Sequence, residues 1–444
     1  MKVAIIGAGF TGLTAAHELA KKGHSVKIFE KNRDIGGLAG DCKVANASIE
    51  KAYHHLFRTD KAILNLINEI GLGTTLSWHE SKVGIVYRDK LDNLHISPFN
   101  GVKDILQFRA IPFIDRLRGG VVTFFLQKYT SWRELINERA LPWMQKWAGK
   151  NFTDAIWGPM LKGKFDRFAE TVSMAWLWAR IHIRANSRTS IFAKELLAYP
   201  DGGFISIANA MVDHITEKLG LKLSTDWLKL NTIIEKITDE KDHPVLWING
   251  KGETFDALLF TTPTEVAEKL LNKELTERSN KIDYLSAVVL LFTSNQSLSQ
   301  YYWHSITDPK APFLVFLQHT NLISQAMYEG QQVYYIGAYL PNDHAYLSMP
   351  PEQLKKEWLA YLQLLFPQFN PDRMQEAHVF KFPYAQHIVD TNYQQKIVPY
   401  KLPVPHTYLA NFAQIFPQDR GTNYSVEEGI KIANLIVNDF EGNR

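Results

Sequence analysis

At 444 residues the chain is long enough for two or three domain-sized units around a large buried core. Its 49 basic and 46 acidic residues leave a net charge of only +3, which excludes the global field suited to nucleic acid, and no zinc-type Cys/His spacing is visible. One cysteine, Cys42, excludes an internal disulfide, and no apolar run approaches the ~20 residues needed to cross a bilayer.

The chain opens on Lys2 to Ile6, a nearly all-apolar, β-branched run of the kind that forms a strand covered on both faces. With no room before it for a leader, and a single thiol, a cytoplasmic protein is expected. Gly7-Ala-Gly9-Phe-Thr-Gly12 follows, then Leu13 to Ala20 with apolar residues at helical spacing, then a second strand, Ser25 to Phe29, ending at Glu30. Each part has a physical task. Gly7 permits the tight turn, Gly9 lets a pyrophosphate approach the backbone, and Gly12 lets the helix lie close on the sheet. The helix N-terminus then faces the phosphates, and Glu30 accepts hydrogen bonds from a ribose diol. Lys31 leads into a second glycine pair, Gly36-Gly37, followed by Leu38. That pair resembles the flavoprotein form of the motif, and it points to FAD rather than NAD.

Tyr53-His54-His55-Leu-Phe-Arg58-Thr-Asp60 enters a helix over Ala62 to Ile70, capped by Thr59 or Asp60. Extended backbone sends neighbouring side chains apart, so only one of the two histidines is expected to face a flavin. Val83 to Tyr87 and Leu94 to Ile96 form a predicted hairpin, and residues 98–198 read as helical. Arg116, Arg118 and the apolar Val121 to Leu126 suit either a helix–helix contact or a peripheral membrane surface. Arg167, Arg180, Arg184 and Arg188 stand near Trp176 and Trp178, as a solvated helix face or a cationic wall for a phosphate-bearing ligand.

Tyr199-Pro-Asp-Gly-Gly-Phe204 is a turn. It opens a predicted helix over 205–219, with strands near Lys222, at Thr232 to Ile237, at Pro244 to Ile248 and at Thr254 to Phe260. Residues 284–293, 312–317 and 332–336 are β-rich, and Pro351 to Phe366 is an amphipathic helix. Near the end, Thr407 to Ala410 is strand-like and Asn411 follows. Gly421-Thr422-Asn423 then leads a final helix, with a capping box at Ser425 and Glu428 or a competing cap at Asn423.

With these motifs in order, the chain resembles the flavin amine oxidase superfamily, which includes the monoamine oxidases, protoporphyrinogen oxidase and the phytoene desaturases. The resemblance implies an α/β fold: a Rossmann-like, discontinuous FAD domain of GR2 type built from 1–75, 199–265 and 385–444. An α+β substrate domain from 76–198 and 266–384 is inserted in it. It implies that Gly7, Gly9, Gly12, Glu30 and Lys31 bind the ADP half of FAD, and that Gly36, Gly37 and Leu38 run beside the diphosphate and ribityl chain. Ile233 or Ile234 would meet the adenine, Asn411 the diphosphate region, and Gly421, Thr422 and Asn423 the pyrimidine edge. Leu38 stands where the superfamily usually has arginine, and Ala410-Asn411 where it often has Gly-Asp. The activity implied is an FAD-dependent oxidoreductase taking a hydride at flavin N5 from a C–N or C–C bond of a largely apolar small molecule. His55 is the first candidate for a group over the ring, with Arg58 and Tyr384 as further pocket residues. The His55 to Asp60 segment also looks like UDP-galactopyranose mutase, which implies the alternative of a flavin-dependent sugar-nucleotide isomerase without net redox. Oligomeric state is not legible.

Overall fold

Two sheets organise the molecule, and the ends of the chain meet in the first. In this computed structural model, which describes residues 1–442 except 129, 189, 191–192, 221–225, 276 and 278–280, a parallel sheet of five strands runs in the order Leu228–Lys229, Ser25–Phe29, Lys2–Ile6, Ala257–Phe260, Thr407–Leu409. Val3 pairs with Val26 on one side and Ala257 on the other, and Leu259 pairs with Tyr408. The strand Lys2–Ile6 is central, so its side chains are covered from both faces, as its unbroken apolar run requires.

The helices Phe10–Lys21 and Thr422–Glu441 pack face to face on this sheet. A Cβ at Gly429 would lie 2.6 Å from Thr14 Cβ and 2.8 Å from the Thr11 carbonyl oxygen. The contact therefore depends on a residue without a side chain, and it joins the first helix to the last.

The second sheet has seven strands in the order Met374–His387, Tyr284–Ser294, Gln332–Pro341, Val315–Gln318, Trp303–Ile306, Val83–Arg88, Leu94–Pro98. The hairpin of residues 83–98 is antiparallel as expected, with Val86 opposite Ile96. Tyr284–Ser294 is buried along its whole length. The amphipathic helix Pro351–Leu365 covers one face, burying Trp358 and Leu362 against Phe316 and Ile336. A helical layer, from Val102–Gln107 through Phe113–Lys128, Ala140–Trp147 and Gly158–Phe165 to Met174–Asn186, packs as a separate core around Phe152, Phe165 and Trp176.

Several local expectations shift. The strand expected at Thr232 to Ile237 starts only at Lys236. The residues before it bond to the end of the second strand instead, Thr232 N–H to the Glu30 carbonyl and Asn231 N–H to that of Asn32. The run from Thr254 to Phe260 is broken where the Asp256 carboxylate accepts the Lys2 N–H. Lys251–Thr254 joins a three-stranded antiparallel sheet, and Ala257–Phe260 joins the parallel one. The helical stretch ends early, in the strand Leu196–Pro200. The strand expected near Lys222 lies outside the described residues.

The caps are also corrected. Asp60 precedes the helix Lys61–Glu69, but its carboxylate turns back to accept the Phe57 N–H at 2.8 Å. The final helix starts on Gly421, so Asn423 and Ser425 fall inside its first turn. Asn423 Oδ1 accepts the Ile63 N–H of the neighbouring helix, and Glu428 accepts the Tyr400 hydroxyl.

Candidate active site

The turn after the first strand is built for close backbone approach. Gly7 has φ +111°, and a Cβ at Gly12 would fall 2.1 Å from the Gly7 carbonyl oxygen. Gly9 caps the helix Phe10–Lys21 with no side chain over its free N–H groups. The second glycine pair lies directly against this turn: Gly36 N–H donates to the Ala8 carbonyl at 2.9 Å, and a Cβ on Gly37 would meet Gly9 Cα at 3.2 Å. Glu30, buried at the end of the second strand, accepts the Ala8 N–H through Oε2 and the Asn32 backbone and side-chain N–H groups through Oε1. The segment around Ile233 lies beside it, with the Ile233 side chain 71% exposed.

This cradle fits a dinucleotide. Two helix N-termini, at Gly9 and Gly421, carry no side-chain cap, and each presents the positive end of its dipole. The buried Thr262 hydroxyl beside Gly7 has no protein partner. Asn411 departs from expectation: its amide donates to the Thr262 carbonyl at 2.9 Å, its oxygen accepts the Ala413 N–H, and its own N–H goes to Gln414. It holds the sheet end together.

A cavity of about 480 Å³ opens from Leu38 and Gly421-Thr422-Asn423 and runs between the seven-stranded sheet and the helical layer. Phe99, Ile156, Trp157, Met160, Trp176, Val289 and Trp303 give it a mainly apolar wall. Both histidines border it, and their rings turn to different neighbours. His54 Nδ1 bonds to the Ala52 carbonyl and its ring packs on Phe204, while His55 Nδ1 pairs with the Tyr302 hydroxyl at 3.1 Å. Burial pushes His54 down to about 4; burial and then the Arg184 charge push His55 down to about 3. Both rings are neutral at pH 7.

One wall is cationic. Arg180, Arg184 and Arg188 line the cavity at four-residue spacing, joined by Lys164 and Arg420. Asp419 is neutralised among them, with Lys164 Nζ at 3.0 Å and Arg180 Nη1 at 3.6 Å. Burial alone would raise its carboxyl, but these cations hold it well below the usual carboxylate range. Arg420 donates to the Tyr339 hydroxyl at 2.8 Å. At Tyr339, burial, which raises a phenol, is outweighed by Arg420 and Lys164, so its hydroxyl ionises more readily than usual.

A family of known proteins matches this arrangement: residues 10–414 fit the flavin containing amine oxidoreductases. The chain belongs to that family. As a flavin-containing amine oxidoreductase it is an enzyme, and FAD is its cofactor. It is 22% identical to the 15-cis-phytoene desaturase of an Oncidium hybrid cultivar, over 99% of this chain and 78% of that protein. A 43-residue stretch is 56% identical to the 4,4'-diapophytoene desaturase of Staphylococcus aureus, covering 10% of this chain and 9% of that protein. Among solved structures it shares its fold with a putative protoporphyrinogen oxidase from Exiguobacterium (TM-score 0.73, 16% identity, 98% of each chain). It also matches a reduced UDP-galactopyranose mutase (TM-score 0.70, 16% identity, 98% of this chain and 95% of that one).

In this oxidoreductase the expected FAD residues Gly7, Gly9, Gly12, Glu30, Gly36 and Gly37 converge on one turn, with Lys31 exposed beside it. Leu38, Gly421, Thr422 and Asn423 border the cavity together with His55. Two candidates lie elsewhere. The Arg58 guanidinium sits over the Trp78 ring at 5.7 Å, outside the cavity lining. Tyr384 has φ +53° in a bulge of Met374–His387, which turns its ring onto Tyr284 while Phe382 and Ala385 face the cavity. Sequence reading missed Tyr302, Tyr339, Lys164, Asp419 and Arg420. Asp419 and Arg420 adjoin in the chain, but no local spacing links them to Lys164 or Tyr339, and only the sheet–helix packing brings these four to one wall, with Tyr302 behind it against His55. Burial pushes the Cys42 thiol up to about 12, away from the reactive thiolate. Among the described residues no helix is long and apolar enough to cross a membrane.

Proposed function

We propose that this oxidoreductase takes a hydride equivalent from a C–C or C–N bond of a largely apolar small molecule. The observation that carries the reading is the apolar cavity ending at the glycine-led helix of Gly421 and at His55. FAD supplies the hydride acceptor at N5 when bound. The glycine turns and Glu30 would hold its ADP half, Leu38 would border its middle, and the free N–H groups at Gly421 would stabilise negative charge at the pyrimidine edge. His55 contributes a neutral, hydrogen-bonded group beside the reacting bond, fixed by Tyr302. The cations of the wall repel an ammonium substrate, which favours a C–C bond over a C–N bond.

The FAD unit is taken as 1–75, 199–265 and 385–444 and the substrate unit as 76–198 and 266–384, in a cytoplasmic protein working at a membrane surface. The support for that surface is the outer face of Phe113–Lys128. Phe113, Ile114 and Val121 are 59%, 70% and 69% exposed, on a stretch that also exposes Lys103, Arg109 and Lys128. The inner face of the same helix packs Gly119 onto Phe152 and lends Thr123 and Gln127 to the cavity.

A second reading, a sugar-nucleotide isomerase with no net redox, is favoured by the arginine wall, which suits a diphosphate. Anaerobic titration of oxidised and reduced protein with amines, polyprenoids and sugar nucleotides separates the two. Bleaching of the oxidised flavin by a polyprenoid supports the first. Turnover of a sugar nucleotide only after reduction, with no electrons consumed, replaces it with the second.

A further inference from the structure

Arginines on the helix Met174–Asn186 and just beyond it divide the cavity lengthwise. At 1.5 Å rise per residue, Arg180 and Arg184 stand roughly 6 Å apart along the helix, and Arg188 follows just past its end on the same cavity wall. The inner rung is occupied, since Arg180 shares Asp419 with Lys164. The outer rungs are not. Arg188 donates to the Asn100 carbonyl and keeps a buried Nε without a partner. Among the described residues no carboxylate comes within ion-pair distance of Arg184 or Arg188. The acids near them are engaged elsewhere: Glu195 accepts the Ser187 hydroxyl at 3.3 Å, and Asp104, beside the Asn100 carbonyl that Arg188 holds, accepts the Asn100 and Gly101 N–H groups. Burial lowers the Arg184 pKa from its ordinary value, and Glu195 offsets this only through space.

Two neighbouring guanidinium groups held against an apolar wall, without an anion, are costly to keep. They become favourable when a ligand supplies the charge, since a guanidinium fork matches the oxygens of a carboxylate or phosphate. We infer that Arg184 and Arg188 form a clamp for an anionic group, a phosphate or carboxylate, carried at the outer end of the apolar substrate. The inference rests on the apolar-substrate reading above and adds the substrate's polar end to it. With the anion on the outer rungs, the apolar body extends past Trp157 and Met160 toward His55 and the Gly421 helix. The clamp thereby selects which carbons reach the reactive end, and it excludes ammonium compounds of the same length.

The test is a difference-absorbance titration of the FAD-loaded enzyme with dodecyl phosphate, dodecanoate, dodecanol, dodecylammonium and UDP. The phosphate or the carboxylate is expected to perturb the flavin spectrum at a concentration about tenfold or more below that of dodecanol. Dodecylammonium is expected to bind more weakly still. R184Q and R188Q should erase the preference for the anion while dodecanol binding and FAD content stay unchanged, and R184K should recover part of it. Equal binding of dodecanol and dodecyl phosphate to the unaltered enzyme overturns the clamp and leaves the apolar cavity standing. Tight binding of UDP with no binding of any dodecyl compound overturns the apolar-substrate reading itself and transfers the arginines to a nucleotide. Variants that keep the anion preference also refute the assignment.

Discussion

The Glu50 carboxylate accepts the Phe204 N–H at 2.5 Å, across a separation of 154 residues. Its other oxygen accepts the Tyr199 hydroxyl at 2.8 Å, and the Tyr335 hydroxyl donates to the Glu50 carbonyl. One buried acid thus caps the helix Phe204–Lys218 and fastens the Pro200 to Phe204 turn to the strand Ala47–Glu50. That explains why the turn carries Gly203, where a Cβ would stand 2.8 Å from Glu50 Oε1.

Burial raises the Glu50 pKa to about 7 from an ordinary 4.5. The folded state therefore holds this proton more tightly than the unfolded state. The stability it contributes is full below pH 4.5 and is lost as pH rises through 7. Chemical denaturation from pH 4.5 to 8 should show E50Q gaining on the wild type by about 2–3 kcal/mol across that range. A constant difference would place the charged form in the fold.

The glycines of the first turn separate folding from cofactor binding. G12A drives a Cβ to 2.1 Å from the Gly7 carbonyl oxygen and should give little folded protein by circular dichroism. G9V meets only Gly37 Cα, at 3.8 Å from its Cβ. It should fold and elute with its flavin absorbance at 450 nm reduced about tenfold or more, because it fills the space a pyrophosphate needs.

His55 is held neutral by burial, so it cannot set a pH limit near neutrality. H55A is expected to keep FAD and to lose about a hundredfold or more in turnover. The wild-type kcat should show no inflection from His55 between pH 5 and 8. Unchanged turnover in H55A would remove the residue from the site.

Arg58 stacks on Trp78 outside the cavity. R58A should cost about 0.5–1 kcal/mol in thermal unfolding and leave flavin content and kcat/KM unaltered. A large loss of turnover would return Arg58 to the substrate site.

The exposed face of Phe113–Lys128 predicts flotation with vesicles containing anionic lipid, weakened by salt. Replacing Phe113, Ile114 and Val121 with serine should lower vesicle affinity by about a hundredfold or more with no change in flavin content. A dimer in gel filtration that the same substitutions dissolve would give this face to a second copy instead.

The dinucleotide turn was legible because its parts are neighbours in the chain: strand, glycines, helix, strand and acid lie within residues 2–37, and local sterics dictate each one. The Gly421 helix was legible for the same reason, although its cap was not. Ser425 and Glu428 have the right spacing for a box, but packing against Ile63 and Tyr400 gave Asn423 and Glu428 other partners. Tyr384 shows the opposite limit, since a bulge of a few residues reverses which side chain faces the cavity, and alternation along a strand carries no sign of it. The chain itself dictated a dinucleotide cradle and two sheet-forming regions, through short-range backbone geometry and apolar periodicity. Which charges face the ligand was decided by tertiary packing alone: Lys164, Arg184 and Asp419 come to one cavity only when the helical layer closes on the seven-stranded sheet, and burial there makes their electrostatics strong.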